Sequence, residues 1–144
     1  CMPVLIGWAA VRDSLSWSAF ALFLVIFFWT PPHFWALAIK YKDDYSKAKV
    51  PMLPVVAAEH IVTRQMLAHS IAMITSSLAL GFLASLPIWY FIIAATLGIY
   101  FLTIVVKLKS GLEVERSKVA ERIFHGSITY LSVLSLVIVP AVLV

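Results

Sequence analysis

Charge is scarce in this sequence. Lys, Arg, Asp and Glu make up 12% of the 144 residues and hydrophobic residues 62%, against about 25% and roughly 45–50% in soluble domains. That balance excludes an ordinary soluble domain and points to a polytopic membrane protein. Cysteine is nearly absent. A single Cys1 allows no internal disulfide and no cysteine metal cluster. Acidic residues number seven against eleven basic ones, a net charge of +4. With no soluble fold to carry a basic face, this excess is loop charge that sets membrane orientation, and no nucleic-acid partner is expected. No basic region precedes the first apolar run, which argues against a signal peptide. Internal repeats and low-complexity segments are lacking too.

What is present is apolar sequence long enough for about four spans of ~20 residues. Residues 1–11 are apolar from the first position and reach about 16 Å as helix, roughly half a bilayer core. They are read as the tail of a helix cut short, so the chain is expected to be the C-terminal part of a longer protein. Residues 12–16 make a short polar turn. Residues 18–39 hold no charged side chain and reach about 33 Å as helix. Pro31-Pro32 sits inside this run and predicts a kink or break near Trp29. Residues 40–63 form a long polar connection with helical character from 41 to 49, ended by Pro51 and Pro54. Further spans are expected at 65–86, 88–106 and 123–144, with a charged, partly helical connection at 107–122. The fold class is all-α: a transmembrane bundle of about four helix segments, the first incomplete.

Ten of the eleven basic residues fall in 40–64 and 107–122, two regions that alternate crossings place on one side; only Arg12 lies opposite. The positive-inside rule makes that side cytoplasmic and puts the C-terminus outside. His33, His60, His69 and His125 all fall at or near the same end. Each alone reads as a packing or interfacial residue; together they mark that mouth as the working end.

One constellation carries chemistry. Lys40, Asp43, Asp44 and Lys47 are spaced i, i+3, i+4, i+7, a stripe of alternating sign on a helix. The bland reading is a solvated face with weak ion pairs. The functional reading is a diphosphate site, with carboxylates holding Mg²⁺ and lysines neutralising phosphate charge. Aromatic residues crowd the same end: Phe27, Phe28, Trp29, Phe34, Trp35, Tyr41 and Tyr45. An interfacial belt accounts for most of them. Trp29 and Phe34, beside the prolines and His33, are candidates for a pocket wall that stabilises a carbocation.

The run W-T-P-P-H-F-W-A-L-A-I-K-Y-K-D-D-Y-S-K-A-K-V-P-M-L-P at 29–54 resembles the protoheme IX farnesyltransferase (heme O synthase) family, within the UbiA-type intramembrane prenyltransferases. A-E-R-I-F-H-G-S-I-T-Y-L at 120–131 is similar to that family's entry to its last helix. The resemblance covers the whole chain but only the C-terminal half of the family. It implies one part of a bundle of nine spans, with a cavity open to the cytoplasm, in the inner membrane. It also implies transfer of farnesyl from farnesyl diphosphate to a vinyl group of heme B, giving heme O. Asp43 and Asp44 correspond to the second of two acidic motifs that bind diphosphate through Mg²⁺; the first has no counterpart here. On this basis Asp44, Asp43 and His33 are the candidate catalytic residues, and Asp43 and Asp44 the metal ligands. Lys40, Lys42, Lys47, Trp29, Phe34 and Tyr45 are the candidate substrate contacts. The expected partners are the bilayer, the two substrates and the N-terminal half of the same protein, without which the chain is expected to be inactive. Two positions depart from the family pattern. Lys47 stands where relatives often have another acid. Lys49 stands where a glycine usually precedes V-P-M-L-P, which puts the tight turn in question or adds a phosphate-facing cation. The alternatives are a prenyltransferase acting on a quinone precursor and a non-catalytic membrane subunit.

Overall fold

The computed structural model describes residues 1–108 and 113–143, with side chains throughout except at 113 and 114. All of the regular structure among the described residues is helical: α1 (Met2–Arg12), α2 (Trp17–Lys40), α3 (Lys42–Lys47), α4 (Leu53–Val56), α5 (Glu59–Leu83), α6 (Ile88–Lys107) and α7 (Glu113–Leu143). Four of these, α2, α5, α6 and α7, are long and apolar enough to cross a membrane. The short α1, of 11 residues, stands in addition to these four, so the described chain has five apolar helices where about four segments were expected.

The long helices form a ring. α2 packs on α5 and α7, and α6 packs on the same two; α1 touches α2 only. Directions alternate around the ring. Lys40 ends α2 and meets Glu121 near the start of α7, while Glu59 opens α5 and meets Arg116, also near the start of α7. The two charged connections therefore share one end of the bundle, as the basic residues predict.

Helix starts follow caps and ion pairs more than hydropathy. Ser16 caps α2 by accepting from the Ala19 amide at 3.2 Å. α5 begins at Glu59, six residues before the apolar run, with an acid in its first turn where the helix dipole favours one. α7 begins at Glu113, ten residues before its apolar run. Both helices project beyond their apolar sections, and only there can their charged turns meet.

Of the kink or break expected near Trp29, the break does not occur. The helix runs through Pro31 and Pro32, although the two rings remove donors that would bond the carbonyls of Phe27 and Phe28. Thr30 donates its hydroxyl to the Ile26 carbonyl at 2.7 Å. Val25, Pro32 and Ala36 bury one face of the same stretch, and Ala38 is buried on the other side. Packing on two neighbouring helices holds the segment helical where the isolated sequence would break.

The core is sealed by a polar knot. Ser77 on α5 donates to the Met73 carbonyl at 3.0 Å and accepts from the Tyr130 hydroxyl at 2.8 Å. Tyr90 of α6 donates to the Ser77 carbonyl at 2.9 Å. Among the described residues no buried side-chain polar atom lacks a partner, which a membrane interior demands. Gly98 and Gly81 bring α5 and α6 close. A Cβ at Gly98 would lie 2.9 Å from Ile74, and one at Gly81 would lie 2.7 Å from Phe91.

Candidate active site

Between the end of α2 and the start of α5, the chain makes two short helices. Tyr41 ends α2 and opens α3, so Lys40 and Asp43 are not on one continuous helix. The alternating stripe is thereby dissolved. Lys40 turns to α7 and binds Glu121 at 3.0 Å instead of pairing with Asp43 or Asp44. Its ammonium also lies 5.5 Å from the centre of the Tyr41 ring.

α3 ends in a tight return. The Lys49 amide donates to Ser46 and the Val50 amide to Tyr45, both at 3.0 Å, with Lys49 at φ 54°. This is a Schellman arrangement whose left-handed position ordinarily takes glycine. The turn that Lys49 put in question is therefore made, with a lysine held in a strained conformation. Lys49 is not among the residues that line the cavity described next.

That cavity, of about 650 Å³, opens at the charged end. α2 and α3 contribute Lys40, Lys42, Asp43, Asp44 and Lys47 to it, α5 contributes Glu59, and α7 contributes Arg116 and Lys118. The Arg116 side chain is only 11% exposed and binds Glu59 at 2.7 Å. Five cations thus face three carboxylates, one of which is already paired. Asp43 and Asp44 have no ion-pair partner among the described residues. No cluster of three or more His, Cys, Asp or Glu that could hold a metal occurs among the described residues. An adjacent carboxylate pair is still an adequate protein share for Mg²⁺, which takes one or two carboxylates and completes its shell with substrate phosphates and water.

The other sequence candidates lie elsewhere. Tyr45 is half-buried and Phe34 is 46% exposed, and neither lines the cavity. His33 stacks between Trp29 at 4.3 Å and Phe124 at 4.6 Å. Ser127 spends its hydroxyl proton on the Phe124 carbonyl at 2.7 Å. Its oxygen therefore accepts from His33 Nδ1–H at 2.8 Å, while Trp29 donates to the Ser127 carbonyl at 2.7 Å. Trp29 and His33 clasp α2 to α7. His69 packs edge-on against Phe28 and Trp35, and His125 bonds the Glu121 carbonyl. The four histidines do not converge. What sequence reasoning missed at the cavity is Glu59, Arg116 and Lys118. Their only sequence signal is membership of charged connections, because pairing of α5 with α7 is a tertiary event.

Comparison with known proteins decides what this bundle belongs to. The model of the UbiA prenyltransferase family matches residues 1–140. The chain belongs to the UbiA prenyltransferase family. It is similar to proteins called protoheme IX farnesyltransferase. The one in Frankia casuarinae is 48% identical, with 100% of this chain and 50% of the relative covered. The one in a Parafrankia species is also 48% identical, over 99% of this chain and 46% of the relative. The one in Streptomyces avermitilis is 47% identical, over 93% and 45%. The chain spans about half the length of these relatives. No solved structure matches it. Within this UbiA family member, the all-helical bundle with four span-length helices is the expected multi-pass membrane architecture.

Proposed function

We propose that this chain is the C-terminal half of a protoheme IX farnesyltransferase domain, and that the cavity at its charged end holds the diphosphate of farnesyl diphosphate. The observation that carries the reading is the meeting of Asp43 and Asp44 with Lys40, Lys42, Lys47, Arg116 and Lys118 around one cavity. Similarity to farnesyltransferases over the full chain supports the substrates. In this reading Asp43 and Asp44 hold Mg²⁺, which supplies electrostatic stabilisation of the departing diphosphate. Lysine ammonium groups act as point charges on the remaining phosphate oxygens. Arg116, fixed by Glu59, offers a directed fork at the cavity wall.

The reaction breaks the allylic C–O bond, and the electron pair leaves with diphosphate. The vinyl carbon of heme B then bonds to the farnesyl carbon. Water captures the resulting cation and releases a proton, which gives the hydroxyethylfarnesyl group of heme O. The side chains described here bind and neutralise the leaving group, where negative charge develops. The charged end lies on the cytoplasmic face of the inner membrane, a reading supported by the ten basic residues that the sequence places in the two charged connections.

Asp44→Asn tests the assignment, with this chain co-expressed with the N-terminal half. The change keeps size and removes charge. Losing one preorganised electrostatic contact costs about 10²–10³ in rate. Heme O production should fall by that factor, with a raised Mg²⁺ requirement. A variant within about twofold of the parent at every Mg²⁺ level would leave only a solvated face.

A further inference from the structure

A second cavity, of about 710 Å³, adjoins the first and is lined by Glu59, His60, Thr63, Arg64, Leu67 and Arg116. Glu59 and Arg116 line both cavities, so their ion pair is the partition between them. The two sides differ in the kind of cation they present. Four lysines and Arg116 face the acidic cavity, whereas Arg64 and Arg116, with His60 and no lysine, face the second. A guanidinium presents a planar fork that matches a carboxylate in two parallel hydrogen bonds, which an ammonium cannot do. His60, Thr63, Arg64 and Leu67 are spaced i, i+3, i+4, i+7 on α5, so one helix face carries Arg64 beside the apolar Leu67. Arg116 is held by Glu59 at 2.7 Å, and Arg64 has no ion-pair partner among the described residues.

We propose that this second cavity binds the carboxylates of the prenyl acceptor, with Arg64 as the principal fork. The proposal rests on the reading of the chain as a heme-modifying farnesyltransferase and names the acceptor side of that site. Protoheme carries two propionates on one edge of its ring and two vinyl groups on the opposite edge. Propionates pinned at Arg64 turn the vinyl edge away from that arginine. Arg64 lies five residues beyond Glu59 on α5, about 7.5 Å along the axis. A flat ring reaching across the Glu59–Arg116 partition thus brings its vinyl edge toward the acidic cavity. The volume lies within the range of about 300–1,000 Å³ usual for cofactor-sized pockets.

The test uses the chain co-purified with the N-terminal half in detergent micelles, titrated separately with protoheme IX, with protoheme dimethyl ester and with Mg²⁺ plus inorganic diphosphate. Heme binding is read from the Soret band and diphosphate binding by calorimetry. The diester has the same ring and vinyl groups but no free carboxylate. Protoheme should bind at least tenfold tighter than the diester. Arg64→Gln should weaken protoheme by about 10–100-fold and erase that preference, with diester and diphosphate affinities unchanged. Arg64→Lys, which keeps the charge and loses the fork, should fall between. Arg64 is exposed, so both variants should fold. Equal binding of protoheme and diester by the parent, or an Arg64→Gln variant that keeps the preference, would overturn the subsite while leaving the heme reading standing. Binding of diphosphate with neither heme would overturn both.

Discussion

Lys49 shows how much one residue decides at this site. It sits at φ 54° in the return that follows α3, with the Lys49 and Val50 amides satisfying Ser46 and Tyr45. A left-handed conformation costs a residue with a Cβ roughly 1–2 kcal/mol. Glycine avoids that cost but gives back about 0.5–1 kcal/mol through its freer unfolded chain. Lys49→Gly should therefore stabilise the protein by up to about 1 kcal/mol, seen as a modestly raised unfolding temperature in detergent. Lys49→Pro should unfold the return, because proline fixes φ near −65°. Equal melting of the glycine variant and the parent would mean that the turn carries no strain. Asp43 and Asp44 were legible in the sequence because two acids flanked by lysines beside a membrane span are uncommon. Arg116 was not, since nothing local marks it as the partner of Glu59, 57 positions earlier.

At the scale of elements, the apolar runs located the spans but not their ends. Hydropathy reports which part of a helix lies in lipid. It is silent on charged turns that continue the same helix into water, and so α5 and α7 begin six and ten residues earlier than their apolar runs. Pro31-Pro32 misled for a related reason: proline propensity is local, and the helix is held by its neighbours. One of those holds is the clasp of Trp29, His33, Phe124 and Ser127. His33→Ala removes two stacks, each worth about 0.5–1.5 kcal/mol, and one hydrogen bond of about 1 kcal/mol. It should destabilise the chain by about 2–4 kcal/mol. His33→Phe keeps the stacks and should lose only about 1 kcal/mol. Denaturant titration in micelles separates the two, and equal losses would show that stacking contributes nothing. The α5–α6 contact makes a second claim. Gly98→Ala pushes a methyl to 2.9 Å from Ile74; overpacking of this kind costs about 1–3 kcal/mol, and Ile74→Ala should rescue part of it. An unchanged melting midpoint for Gly98→Ala would show that the helices move apart freely.

For the whole molecule, the ring of four helices ties chemistry to one end. Lys40–Glu121 and Glu59–Arg116 bind α2, α5 and α7 together there, and the acidic cavity opens between them. The far end carries the α5–α6 return, where Ser85 sits exposed at φ 52°. Ten basic residues against one give the two ends opposite electrostatic preferences for the sides of a bilayer. Insertion should therefore leave Ser46 in the cytoplasm and Ser85 outside. Cysteine labelling reads this directly. In a Cys1→Ser background, Ser85→Cys should react with an impermeant thiol reagent in intact cells. Ser46→Cys should react only after the membrane is permeabilised. Both positions are exposed, so burial cannot mimic protection. If Ser46→Cys labels first, the bundle is inverted, the acidic cavity faces outward, and a soluble diphosphate made in the cytoplasm could not reach it.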